Sequence, residues 1–217
     1  MTENRKICDA SNMVWIDCEM TGLDAQTDVL LEIAVIVTNK DLNILAEGPN
    51  LVIHQSNEVC TLSRCLKITE KVSFFKIAIC IFKVLESMHE WCVEQHGLSG
   101  LTEKCRQSQL SVAECETQIL DFLKEFAPPG ECPLAGNTVS TDKRFLIHYM
   151  PDLVKHLDYK IVDVTSVGLL VERWYPEISK EKRPKKKSTH RALDDIKESI
   201  EELKYYRTVF FKDQIEK

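Results

Sequence analysis

Asp17 and Glu19 stand two residues apart at the end of the apolar run from Met13 to Ile16. A strand through them turns both carboxylates to one face, with the side chains about 7 Å apart along the strand. Two acids on one face repel, and the arrangement is stable near neutral pH when cations sit between them. Two divalent ions held about 4 Å apart are a recurrent device for cutting phosphodiesters. Ligands that are all carboxylate oxygens suit Mg²⁺ or Mn²⁺ rather than zinc, which prefers His and Cys. Asp-x-Glu alone also describes an exposed acidic strand end; its place behind an apolar run is what favours a metal site.

Two further positions carry acids in suggestive places. Asp142 opens a helix after Gly136-Asn137-Thr138-Val139-Ser140-Thr141, where it either complements the helix dipole or serves as a ligand. His190 precedes Arg191-Ala192-Leu193-Asp194-Asp195 at the head of the last helix. An acid-flanked His near a metal is a natural general base, with an ordinary pKa of about 6.5. Ala192, Leu193, Ile196, Ile200 and Leu203 define the apolar stripe of that helix. At about 100° per residue, Asp195 lies about 110° from the stripe centre and Asp194 about 150°. Asp195 is the expected ligand and Asp194 the solvated neighbour.

The elements that must position these groups follow from pattern. Leu30 to Thr38 and a broken run from Leu42 to His54 join the first strand in a three-strand antiparallel meander. Leu85, Met88, Trp91 and Cys92 recur at helical spacing from Val84, with Gly97 as the stop. Ser111-Val112-Ala113-Glu114 is a capping box opening a helix that ends near Pro128-Pro129-Gly130. A short strand at Pro133 to Gly136, a helix from Thr141 to before Pro151, a strand at Tyr159 to Val164 and a helix from Thr165 to Trp174 follow. The last helix spans about Arg191 to Thr208. The order predicts an α/β fold with a mixed five-stranded sheet flanked by helices. It divides into an N-terminal tail (1–12), a single domain (13–210) and a C-terminal tail (211–217).

Composition limits the function. The chain has 217 residues, 28 Lys+Arg against 34 Asp+Glu and a net charge of −6. That balance argues against nonspecific gripping of long nucleic acid, which needs a broadly basic surface. Nine cysteines, an odd number without a C-x-x-C pair, read as reduced thiols, and no targeting segment is visible at the start, so a cytoplasmic location is expected. The segment Val59 to Lys83 combines three cysteines with Phe74, Phe75, Ile77, Ile79, Ile81 and Phe82. Lys76 and Lys83 break it well short of the roughly 18 apolar residues of a membrane span, so no membrane association is expected. Its end residues also match intron borders, since a Val codon begins with GT and a Lys codon can end in AG. It is therefore either a surface insertion or a translated intron of 75 nucleotides. Lys182-Arg183-Pro184-Lys185-Lys186-Lys187 is read as a solvated loop that attracts anionic substrate, ahead of a nuclear-targeting signal.

Trp15-Ile16-Asp17-Cys18-Glu19-Met20-Thr21-Gly22-Leu23-Asp24, Leu134-Ala135-Gly136-Asn137 with Asp142, and His190-Arg191-Ala192-Leu193-Asp194-Asp195-Ile196 together resemble the oligoribonuclease family. That family is the histidine-containing branch of the DEDD 3′-to-5′ exonucleases, on a ribonuclease H-like fold. The resemblance covers the chain except Val59 to Lys83. It implies that Asp17, Glu19, Asp142 and Asp195 hold two Mg²⁺ or Mn²⁺ ions. It also implies that His190 deprotonates the attacking water, and that very short single-stranded RNA, down to dinucleotides, is hydrolysed to 5′-mononucleotides by a homodimer. It further implies that Leu23 wedges between two bases, Trp91 and His96 flank the terminal nucleotide, and Tyr159 reaches across the dimer. Thr138, Lys160, Thr165 and Ser166 match positions that cap the 5′ phosphate. Here Thr138 replaces the usual Ser, Lys160 the usual Arg, and Thr165-Ser166 reverse the usual order; Lys cannot make the bidentate fork of Arg, which bears on substrate affinity. On the residues alone Trp91 equally suits the core and Tyr159 an edge strand. A trimming exonuclease for longer strands, or a binding module disabled by the insertion, are the other readings.

Overall fold

The computed structural model describes residues 7–55, 85, 88–177 and 191–211. Strands β1 (Met13–Met20), β2 (Leu30–Thr38) and β3 (Ile44–Val52) form the expected antiparallel meander, and β4 (Leu134–Gly136) and β5 (Ile161–Asp163) complete a sheet of order β3-β2-β1-β4-β5. β4 runs parallel to β1, and β5 parallel to β4. The helices are α1 (Glu90–Leu98), α2 (Leu101–Gln107), α3 (Val112–Leu123), α4 (Ser140–Tyr149), α5 (Pro151–His156), α6 (Val164–Trp174) and α7 (Ala192–Phe210).

Alternation along β1 explains why helices cover both faces. Val14, Ile16 and Cys18 enter one core with Ile119 and Leu123 of α3 and Phe145 and Leu146 of α4. Trp15 enters the other with Val164 and Val171 of α6 and Ile196 and Ile200 of α7. Each fully buried Leu, Ile or Val contributes about 1.5–3 kcal/mol. β2, covered on both faces, is buried along its whole length and so reads as a continuous apolar run.

The capping box forms as read, with the Ser111 hydroxyl accepting from the Glu114 N–H and the Glu114 carboxylate accepting from the Ser111 N–H. Such a cap is worth about 1 kcal/mol. Other boundaries differ. The first helix starts at Glu90 rather than Val84, with Leu85 and Met88 buried ahead of it. It runs through Gly97, and the break falls at Gly100, whose φ of +71° is the left-handed geometry that glycine adopts without strain. The short helices α2 and α5 were not expected from the pattern, because six or seven residues are too few to show a helical period. The segment Val59 to Lys83 and the basic run 182–187 lie outside the described residues.

Candidate active site

Because β1, β4 and β5 are parallel, their carboxyl ends meet at one end of the sheet, joined by the N-terminal end of antiparallel β2. Open α/β sheets bind ligands at that end. Asp17 and Glu19 lie there on the strand face of Trp15. Trp15 packs in the same cluster as Ala192 and Ile196, so the head of α7 covers this face. Its Asp195 joins the two strand acids, with one carboxylate oxygen of each of Asp17, Glu19 and Asp195 within 4.8 Å of the others. The oxygens thus come closer than the strand repeat suggests. Asp194, one residue earlier, is exposed.

Asp142 approaches from α4. β1 pairs with β4 only at Val14 and Trp15, and further along, the Cys18 N–H donates instead to Asp142 Oδ1 at 3.0 Å. Asp142 stands beside the group of three rather than within it. Burial pushes its carboxyl up to about 7, against the N–H bonds that favour the charged form. Burial also pushes Glu19 up to about 8, with the charges of Asp195, Glu32 and Asp142 adding to the effect and Arg191 opposing it. Protons are thus held where a cation would replace them. An all-oxygen donor set of this charge suits a hard divalent ion, so the residues fit the metal site that the chemistry requires.

His96 is buried beside these acids. Its Nε2 donates to the Met20 carbonyl at 2.9 Å, and Nδ1 lies 3.9 Å from Glu19 Oε2. Leu23 and Trp91 are 71% and 49% exposed and line one cavity of about 770 Å³ with Gly22, Asp28, His89 and Cys92. Trp91 therefore lies outside the core; Cys92 and His96 form the buried face of α1. Asp28 shapes the loop that presents Leu23, accepting from the Thr21 hydroxyl and the Asp24 N–H, both at 3.0 Å. A Cβ on Gly22 would lie 2.5 Å from Asp28 Oδ2 and would have to displace that carboxylate.

Thr138, Thr165 and Ser166 gather around Asp163. Its Oδ1 accepts from the N–H groups of Thr138 and Thr165, both at 3.0 Å, and its Oδ2 from the Ser166 hydroxyl at 3.2 Å. The Thr138 N–H also donates to Thr165 Oγ1 at 2.9 Å. These bonds hold Thr138 at a φ of +52°, a left-handed geometry uncommon for a β-branched residue. Lys160 Nζ lies 3.8 Å from Asp158 and 5.2 Å over the ring of Tyr159, which is 81% exposed. His190 lies outside the described residues.

Asp163, Asp28, Glu32 and Arg191 escaped the sequence reading. Asp163 had a signal, an acid two residues before Thr165 at a helix start, where a carboxylate caps N–H groups. Glu32 had one too, since a lone acid inside an apolar strand must find a partner.

An exonuclease family model (RNase_T) matches residues 14–73 and 77–203. The chain is 47% identical over 207 residues to the mitochondrial oligoribonuclease of Homo sapiens, covering 95% of this chain and 76% of that protein. It is 46% identical to a probable oligoribonuclease of Dictyostelium discoideum, covering 94% and 92%. With the oligoribonuclease of Actinobacillus pleuropneumoniae it shares 45% identity, covering 93% and 95%. Among solved structures, an exonuclease I superimposes with a TM-score of 0.61 at 14% identity, and the enzyme of Methylocaldum szegediense with 0.60 at 17%. These cover 91% and 93% of this chain but only 41% of each exonuclease I, so the chain spans about two fifths of their length. The structural likeness establishes the ribonuclease H-like fold. The sequence identity goes further: the chain belongs to the oligoribonuclease family of DEDD exonucleases, hydrolases that act as 3′-to-5′ exoribonucleases.

Proposed function

We propose that the chain removes 5′-mononucleotides from very short single-stranded RNA, down to dinucleotides, using two divalent cations, Mg²⁺ or Mn²⁺. The convergence of Asp17, Glu19 and Asp195 carries this reading. Asp142, held beside them through the Cys18 N–H, is the fourth ligand. When bound, the cations supply Lewis-acid polarisation of the attacking water and of the departing 3′ oxygen. His190 takes the proton from that water, a role suited to a group that titrates near neutrality. Leu23 and Trp91 offer apolar surfaces to the bases. Thr138, Thr165 and Ser166 present hydroxyls to the 5′ phosphate, and Lys160 supplies a charge without the directional fork of Arg. No helix among the described residues is long and apolar enough to cross a membrane. We place the protein in the cytoplasm, where its free thiols stay reduced. A homodimer is favoured by the exposed Tyr159, Ile161, Leu169, Leu170 and Trp174, which lie on edge strand β5 and the elements around it.

The test is hydrolysis of 5′-labelled RNAs from two to twenty nucleotides long, by the full chain and by a deletion of residues 59–83. Metal-dependent cleavage strongly favouring dinucleotides is expected. Uniform trimming of long strands would assign the chain to a proofreading or trimming exonuclease, and binding without cleavage by either form would make it a binding module. Activity only in the deletion would identify 59–83 as an inactivating insert or a retained intron. Trp91→Ala is expected to raise KM for a dinucleotide about tenfold with a smaller change in kcat, since stacking is worth about 1–3 kcal/mol per base. An unchanged KM would remove Trp91 from the substrate pocket.

A further inference from the structure

Glu32 sits on β2 directly opposite Glu19 across the ladder, and its side chain is fully buried. A carboxylate there needs a partner, and Arg191, 159 residues away, supplies one as a fork: Nε donates to Oε2 at 3.0 Å and Nη2 to Oε1 at 2.6 Å. Arg191 is also the residue that starts α7. Its main-chain carbonyl accepts the N–H groups of Asp194 at 2.9 Å and Asp195 at 3.0 Å, and no side-chain cap assists it. One residue therefore grips the sheet with its side chain and sets the first turn of the helix with its backbone. The helix wheel decides only which way Asp195 points; where the helix head sits over β1 requires a tie between α7 and the sheet. A buried ion pair is commonly no more stabilising than apolar residues of similar volume, so stability alone gives no reason for one here. Its directional geometry does.

We propose that Glu32 and Arg191 are positioning residues of the metal centre. The fork fixes the head of α7 on β2 so that the Asp195 carboxylate meets Asp17 and Glu19. The inference rests on the metal-dependent reading given above. The Arg191 guanidinium also partly offsets the negative charge around Glu19.

The test compares the full-length parent with Glu32→Gln, Arg191→Lys and the apolar pair Glu32→Leu/Arg191→Met. Mn²⁺ binding is followed by calorimetry, the Mn²⁺ dependence of dinucleotide hydrolysis by rate, and Tm in EDTA. Arg191→Lys keeps the charge and loses the fork, so it reports on geometry even if a charge-removing variant folds poorly. Both single variants are expected to weaken Mn²⁺ binding about 10- to 100-fold, as loss of an outer-shell partner does at other metal sites. They should raise the Mn²⁺ needed for half-maximal rate in parallel. The apolar pair is expected to recover the Tm of the parent without recovering Mn²⁺ affinity, a split that a merely structural role would not produce. Recovery of both, or single variants with lowered Tm and parental Mn²⁺ affinity, would overturn the proposal. A parent that bound no Mn²⁺ would overturn the metal reading and this inference with it, whereas a parent that bound it as well as its variants did would overturn the inference alone.

Discussion

Asp195→Ala is expected to lower turnover of a dinucleotide by about 10³-fold or more, equivalent to about 4 kcal/mol of barrier, because a cation ligand in the proposed role would act on charge that develops at the reacting phosphate. The same change leaves the metal-free protein at least as stable as the parent. Asp195 is half-buried at the head of α7, and its charge is the largest electrostatic cause of the raised Glu19 carboxyl. Removing it relieves repulsion among three acids whose oxygens lie within 4.8 Å of one another. Loss of function without loss of stability separates a ligand from a structural residue. Asp194→Ala, at an exposed position one residue earlier, is expected to cost about 0.3–1 kcal/mol of helix-dipole stabilisation and to leave turnover within about twofold. Steady-state kinetics and thermal melts in EDTA measure both. Equal damage from the two substitutions would remove the distinction between the neighbouring aspartates, and parental turnover in Asp195→Ala would take it out of the metal site.

Metal-free protein is expected to lose stability as pH rises from about 5 to 8, and divalent cations are expected to restore it by an amount that grows over the same range. Glu19 and Asp142 titrate near 8 and near 7 in the fold against ordinary values of 4.5 and 3.8. Between those limits the folded state holds more protons than the unfolded chain, so stability declines with rising pH. The contribution is complete below about pH 4 and is lost as pH passes through 7 and 8. Each such carboxyl gives a slope of up to about 1.4 kcal/mol per pH unit within its window. A cation bound there would take the place of these protons, so its apparent affinity should rise with pH, and the stabilisation it adds would follow from mass action. Melting curves from pH 5.5 to 8.5, in EDTA and in millimolar Mn²⁺, should diverge steadily. Parallel curves would show that the acids release no protons on binding.

Much of this site was legible in one dimension because the relevant geometry is local. The period of a strand places Asp17 and Glu19 on one face, and the period of a helix separates Asp195 from Asp194 by about 100°. The Ser111-Glu114 box and the continuous apolar run of β2 are local for the same reason, as each reports only its own backbone and its own faces. Where two elements cooperate, the signal vanishes. The gathering of Thr138, Thr165 and Ser166 on the Asp163 carboxylate joins the ends of β4 and β5, which are neighbours only through a parallel pairing made after the chain has passed through α4 and α5. Trp91 shows the same limit. Its spacing from Leu85 and Met88 suited a buried helix face, yet the helix begins only at Glu90, which leaves Trp91 exposed over the cavity it shares with Leu23.

The residue types and their spacing by themselves determined the class of chemistry, the faces on which its acids stand and the order of the strands and the longer helices. Only the tertiary structure decided that the Asp142 carboxylate turns to the Cys18 N–H, and that Glu32 and Arg191 tie β2 to α7 across 159 residues. The physical reason is that repeat geometry is a property of a segment. Register and ion pairing between distant segments depend on how whole elements pack, and sequence separation carries no record of that distance.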